Sequence, residues 1–304
     1  MLTIDPAILV QRIKQRNLPT QYIQEYYLPY RLSPDRMNYV KQKIKTGASI
    51  FLNHDFHPIS YFYSVYLWLA NFNKKMIGSV DTVFQRQQLF YYLVGLFLIA
   101  SGIYFFIFRK NRDKRAMQSI YFSIMLIGGT MIGLEIIIIH GFQAIYGYAY
   151  FQLTLIMTGF MLGLAAGSRI SLLQLKKSTN DWRRFTIMQW LLTLYPIITY
   201  CFLHCLLDLT LPAAVVQLVF LSLIFGLGFI GGYQFPLANS IVCQFQHRID
   251  KLAGTIYAWD LFGSVIGALL ISIIVVPIFG LLTAALAFLV MNLFISIVLI
   301  FFNK

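Results

Sequence analysis

Residues 119–168 form two long apolar stretches that carry Gly128, Gly129, Gly133, Glu135 and Gln143, and then Gly159-x-x-x-Gly163-x-x-x-Gly167. This region constrains the fold more than any other. A leucine gains little by exchanging lipid tails for another leucine, so helices in a bilayer associate through close backbone approach, which glycines four apart permit. Three such glycines in register give one helix a flat seam. A carboxylate within a span is costly unless it faces a partner or water, so Glu135 has to point into a bundle. The two requirements together describe a packed, multi-pass membrane protein rather than a single anchor.

Composition agrees. Of the 304 residues, 59% are hydrophobic and 12% charged, about half the charged share of a soluble domain. The formal charge of +13 does not mark a nucleic-acid partner, because the Lys and Arg cluster between apolar spans and form no basic stripe interleaved with base-stacking aromatics. Cys201, Cys205 and Cys243 are too few for a disulfide framework or a tetrahedral zinc site. They read as small packing residues and His204 as a core or interfacial histidine, and neither a metal nor a cofactor is expected. Residues 1–16 hold Asp5-Pro6 and three basic residues where a cleavable signal needs an unbroken apolar region.

In chain order, residues 1–88 form a polar, Tyr-rich segment. Asp5-Pro6 reads as an N-cap with Pro at the first helical position, Leu9 and Ile13 lie on one face, and the helix stops near Asn17. Ser33-Pro34-Asp35 repeats the signature, with Met37, Val40 and Ile44 at helical spacing until Gly47. Asn53-His54-Asp55-Phe56-His57-Pro58 reads as a polar turn rather than a metal cluster. Residues 59–72, aromatic and too short to cross about 30 Å of hydrocarbon, suit the membrane interface. Residues 89–304 form the multi-pass domain, with seven spans expected at 89–108, 117–139, 148–173, 185–206, 211–233, 255–277 and 281–302. Arg109, Lys110, Arg112, Lys114 and Arg115 follow the first span, Lys176, Lys177, Arg183 and Arg184 the third, and Arg248 and Lys251 the fifth. Loops 140–147, 208–211 and 277–280 carry no Lys or Arg. The positive-inside rule then places the C-terminus in the cytoplasm, and an odd number of spans places residues 1–88 on the opposite side.

Two membrane acids are candidates for function, Glu135 and Asp260, with Tyr257, His140 and Gln143 as polar neighbours. They read either as a proton or cation site between helices, or as structural acids bonded to Tyr, Gln or backbone. A second small-residue seam, Gly263 and Gly267, starts one turn after Asp260. Gly228-x-x-x-Gly232 leads into Tyr233-Gln234-Phe235-Pro236, and Pro236 is expected to break its helix, either as the edge of a substrate site or simply as the end of a span. The glycine-rich stretches lie within apolar spans and so are not phosphate loops. No catalytic triad is legible.

Gly133-Leu134-Glu135 through Phe142-Gln143, Tyr146-Gly147-Tyr148, and Phe160-Met161-Leu162-Gly163-Leu164-Ala165-Ala166-Gly167-Ser168 resemble the membrane part of multi-span spermidine synthase-like proteins. Phe235-Pro236-Leu237-Ala238, Ala253-Gly254-Thr255-Ile256-Tyr257-Ala258-Trp259-Asp260 with Leu261 through Ala268, and Pro277-Ile278-Phe279-Gly280 do so too. Leu28-Pro29-Tyr30-Arg31-Leu32-Ser33-Pro34-Asp35-Arg36 resembles the tail of that family's transferase domain, as do Asn53-His54-Asp55 with Pro58, Tyr61 and Tyr63. The resemblance implies an all-α polytopic bundle, of the transporter-like kind, that is fused to or cooperates with an aminopropyltransferase-like domain in a bacterial inner membrane. Residues 1–88 hold only five acids and lack the glycine-rich turn and alternating strands and helices of a Rossmann-like domain. This chain is therefore not expected to transfer an aminopropyl group alone, and it carries no catalytic residue. A separately encoded transferase-like subunit is the partner implied, with a small amine as the ligand of an alternative carrier reading.

Overall fold

The computed structural model of the chain describes residues 5–16, 26–46, 59–72, 88–107, 112–147, 150–175, 180–207, 212–245 and 249–301. Every element among them is a helix. The chain divides into two compact units, Met1–Leu52 and Asn53–Lys304.

The first unit holds α1 (Pro6–Arg16), α2 (Tyr27–Arg31) and α3 (Pro34–Thr46). The Asp5 carboxylate accepts the Ala7 amide at 2.9 Å, which caps α1 as its Asp-Pro start implies. The Ser33 carbonyl accepts the Met37 amide at 3.0 Å, opening α3 at the second expected start. α2 has five residues, too few to show a period in sequence. Neither α1 nor α2 buries a residue.

The second unit holds α4 (Ile59–Phe72), α5 (Gln88–Ile107), α6 (Arg112–Tyr146), α7 (Tyr150–Leu175), α8 (Asp181–Leu207), α9 (Ala213–Cys243), α10 (Ile249–Leu269), a π-helical turn at Leu270–Val275, and α11 (Val276–Phe301). α4 therefore belongs to the compact unit of the bundle. It packs through Phe62, which is buried, and its Tyr61 hydroxyl donates to the Ser272 carbonyl in the π-helical turn at 3.1 Å. The His54 and His57 cluster lies outside the described residues.

Several helices outrun their apolar spans. α6 has 35 residues, a length of about 52 Å, so Glu135 sits well inside it rather than near an end. α9 runs through Pro236 to Cys243, and the expected break at Pro236 is absent. Proline removes only the hydrogen bond that would reach the Gly232 carbonyl. The helix is held on both sides of that point: Gln234 is bonded to Gln189 of α8 at 3.0 Å and Ser240 to Asp181 at 2.5 Å. α8 likewise contains Pro196. Cys201 and Cys205 do not pack inside but lie exposed on α8, and His204 between them is exposed too.

Among the described residues, five helical stretches are long and apolar enough to cross a membrane: Asp113–Ile145, Phe151–Leu175, Asp181–Leu206, Ala214–Cys243 and Leu252–Phe301. The last, at 50 residues, would extend about 75 Å if straight. It is not straight: Gly280 has φ 83° and ψ 170°, a conformation open to glycine and costly for other residues. The ladder of contacts confirms a reversal. Gly263 meets Met125 of α6 and Gly267 meets Gly129, so α10 runs parallel to α6. Beyond Gly280, Phe288 meets Gly133 and Asn292 meets Thr130, which is antiparallel.

Glycines set the closest approaches. A Cβ on Gly163 or Gly167 would strike the carbonyl oxygens of Phe225 and Phe229 on α9, and one on Gly228 or Gly232 would strike those of Phe160 and Leu164 on α7. The interlock is reciprocal and backbone to backbone, and α7 and α9 run parallel. Gly159 differs, because its neighbour is the flexible Leu221 side chain. A second parallel pair, α6 with α10, closes through Gly128, Gly129, Gly263 and Gly267. By contrast, among the described residues Gly95 and Gly102 of α5 meet nothing within 4 Å.

Gly163→Ala is therefore expected to destabilise the protein by about 1–3 kcal/mol, since neither backbone can yield. Gly95→Ala is expected to be neutral or stabilising by up to about 1 kcal/mol, through helix propensity alone. Reversible unfolding in bicelles measures both, and equal effects would refute the seam.

Candidate functional site

Two polar systems lie within the bundle, and they differ in kind. The first is a chain of amides. Gln234 of α9 donates to the Gln189 side-chain oxygen of α8 at 3.0 Å, and Gln189 donates to Asn292 of α11 at 2.9 Å. Asn292 in turn donates to Thr130 of α6 at 2.8 Å and to its own helix at the Phe288 carbonyl, also 2.8 Å. One turn away, Thr193 and Ser296 share a hydrogen bond of 2.8 Å. Gln189, Gln234, Asn292, Thr193 and Ser296 are all fully buried. Hydrogen bonds between side chains on different helices hold bundles together where apolar packing offers no gain over lipid. Of these residues, only Gln234 lies within a motif noted in the sequence. The available signal was a lone amide in each of several apolar spans, but nothing local says which amides meet.

The second system is a cleft of about 280 Å³ lined by residues of α6, α7, α9 and α10, including Gly128, Met131, Phe160, Phe235, Tyr257, Asp260 and Ser264. Asp260 lies directly over Gly128: a Cβ there would come within 2.6 Å of the Asp260 Oδ1 and 2.8 Å of the Ser264 Oγ. The missing side chain at Gly128 makes room for the carboxylate. Tyr257 stands one turn before Asp260 on the same helix and is half exposed, at 54%. A carboxylate among aromatic faces, a hydroxyl and a phenol, at the depth of an apolar helix, suits a cationic group.

The other expected site residues fall elsewhere. Glu135 is buried, at 7% exposure, with no hydrogen bond or ion pair among the described residues. It lies on the same side of α6 as Gly128, seven residues or about 10 Å further along, so the two acids are not a touching pair. His140 and Gln143 form a separate group near the end of α6, with the His140 Nδ1 3.2 Å from the Gln143 Oε1 and the Tyr61 ring 5.6 Å from the imidazole. That group is about 18 Å along α6 from Gly128. Of the expected glycines, Gly163, Gly167, Gly228, Gly232, Gly263 and Gly267 each face a neighbouring backbone and Gly159 faces a leucine side chain, whereas Pro236 is an interior residue of α9. Comparison with protein-family models, curated proteins and solved structures found no match for the chain.

Asn292→Leu would leave Gln189 and Thr130 without their partner in a water-free interior. The expected cost is about 1–3 kcal/mol, whereas Thr158→Val, on an exposed position of α7, should stay within about 0.5 kcal/mol. Unfolding under the same bicelle conditions separates the two, and a neutral Asn292→Leu would show the amide chain to be incidental.

Proposed function

We propose that the chain is the integral membrane module of a spermidine synthase-like protein, and that its own task is to hold a small cationic amine in the cleft at Asp260. The observation that carries this reading is the placement of that carboxylate: it occupies space made by a glycine, beside a phenol and between aromatic side chains, and has no bond to protein among the described residues. Acids that serve only the fold are normally paired. The resemblance of the Asp260 and Glu135 stretches to spermidine synthase-like membrane parts supports an amine as the ligand class.

In the same reading the module crosses the bilayer seven times in a bacterial inner membrane. Support comes from the reversal at Gly280, which makes two passes of the longest helical stretch, and from α5, whose 20 residues span about 30 Å. Trp182, near the start of α8, donates to the Leu299 carbonyl near the end of α11 at 3.3 Å. The ends of α6 and α8 that carry Arg115, Arg183 and Arg184 thus share a side with the C-terminus, which favours a cytoplasmic C-terminus.

A second reading is a scaffold that anchors a separately encoded transferase-like subunit. It is favoured by the rigidity that backbone-to-backbone seams confer on both helix pairs. The two readings part at Asp260. In nanodiscs, Asp260→Asn should lower binding of labelled spermidine by roughly tenfold to a hundredfold, the worth of one charge-assisted contact, with unfolding unchanged. Native affinity in that variant, or no binding by the native chain, would overturn the amine site and leave the scaffold.

A further inference from the structure

Beyond the cleft, we infer that the amino-terminal unit is a docking surface for anionic lipid headgroups, with α3 lying in the membrane interface. The described residues of this unit carry eight Lys and Arg against two acids, Asp5 and Asp35. Their arrangement matters more than their number. On α3, Met37, Val40 and Ile44 fall on one helical face, and at 100° per residue Lys41 flanks that face on one side while Arg36 and Lys43 flank it on the other. Val40 is 48% exposed and Ile44 68%. An apolar stripe edged by long basic side chains lets the methylenes cover hydrocarbon while the charges rise to phosphate.

Aromatic residues outside α3 are exposed as well. Tyr26 and Tyr30 are both more than 60% exposed, and phenols of this kind settle at headgroup level. The Arg36 guanidinium lies 4.7 Å from the Tyr30 ring centroid, so charge and ring are presented together. A soluble domain would bury these side chains in a core, but α1 and α2 bury nothing. The surplus of positive charge selects an anionic surface over a zwitterionic one, and an acidic protein groove would not need the apolar stripe.

The test uses the full chain in nanodiscs, with Cys201, Cys205 and Cys243 replaced by serine and a nitroxide on Ile44→Cys. In bilayers containing phosphatidylglycerol, the label should be open to oxygen and shielded from aqueous nickel. In pure phosphatidylcholine that pattern should weaken. Lys41→Gln, Lys43→Gln and Lys45→Gln together should reduce the lipid-inserted fraction relative to the free one roughly a hundredfold, at about fivefold per lysine. A label that stays in water in both bilayers overturns the inference. So does one shielded equally in both and in lipid-free detergent, which would mean a protein surface covers α3.

Discussion

The structure rests on helix backbones meeting without side chains between them. Within a bilayer the hydrophobic effect does not pull helices together, and what remains is dispersion at short range, weak Cα–H···O contacts and hydrogen bonds. Gly163 and Gly167 against Phe225 and Phe229, and Gly263 and Gly267 against Met125 and Gly129, bring carbonyl oxygens to where a methyl group would otherwise stand. Both pairs, α7 with α9 and α6 with α10, are parallel and so join helices that are not neighbours in the chain. α8, which lies between α7 and α9 in the chain, then runs the other way, and its contacts with α9 and with α11 are antiparallel. The seams thus determine the order of helices around the bundle as well as its tightness.

Glycine also makes the cleft. Gly128, Gly231 and Gly232 all line it, and a Cβ on them would meet Asp260, Met131 and the Leu164 backbone in turn. The residues that let α6 approach α10 and α7 approach α9 leave a gap where the two pairs face each other. Asp260 occupies the rim of that gap. A carboxylate here does not arise from packing need, since Ala or Ser would fit over Gly128 with less desolvation.

Legibility in the sequence followed the range of the interactions. Asp5-Pro6 and Ser33-Pro34 mark the starts of α1 and α3, because a cap is settled within one turn. The glycine repeats announced seams, because four-residue spacing is itself the signal. What each seam meets was not legible: Gly163 faces a backbone and Gly159 a leucine side chain, a difference settled by a partner helix some sixty residues away. α6 was read too short because hydropathy marks the lipid-spanning part of a helix, whereas the hydrogen-bond ladder runs on through His140 and Gln143. Pro236 misled for the converse reason, since its lost hydrogen bond is local but the ties that keep α9 helical come from Gln189 and Asp181. The π-helical turn at Leu270–Val275 has no sequence mark at all; its Ser272 carbonyl is met by Tyr61, from a helix two hundred residues earlier.

The polar groups inside the bundle differ in the partners they meet. Gln189, Asn292, Thr130, Thr193 and Ser296 bond one another across three helices, and a membrane fold retains such groups because each satisfies the next. Glu135 of α6 and Asp260 of α10 have no such bonds among the described residues, and of the two only Asp260 lines the cleft. An unpaired carboxylate at this depth is expensive for the folded state, and the fold offers partners it does not use: the Ser264 hydroxyl is on Asp260's own helix face. An acid left without a bond to a donor so near is where the proposed amine would supply the missing charge. The proposed chemistry is therefore sought at Asp260, where a carboxylate meets open space, rather than along the amide chain, whose donors are spent on neighbouring helices.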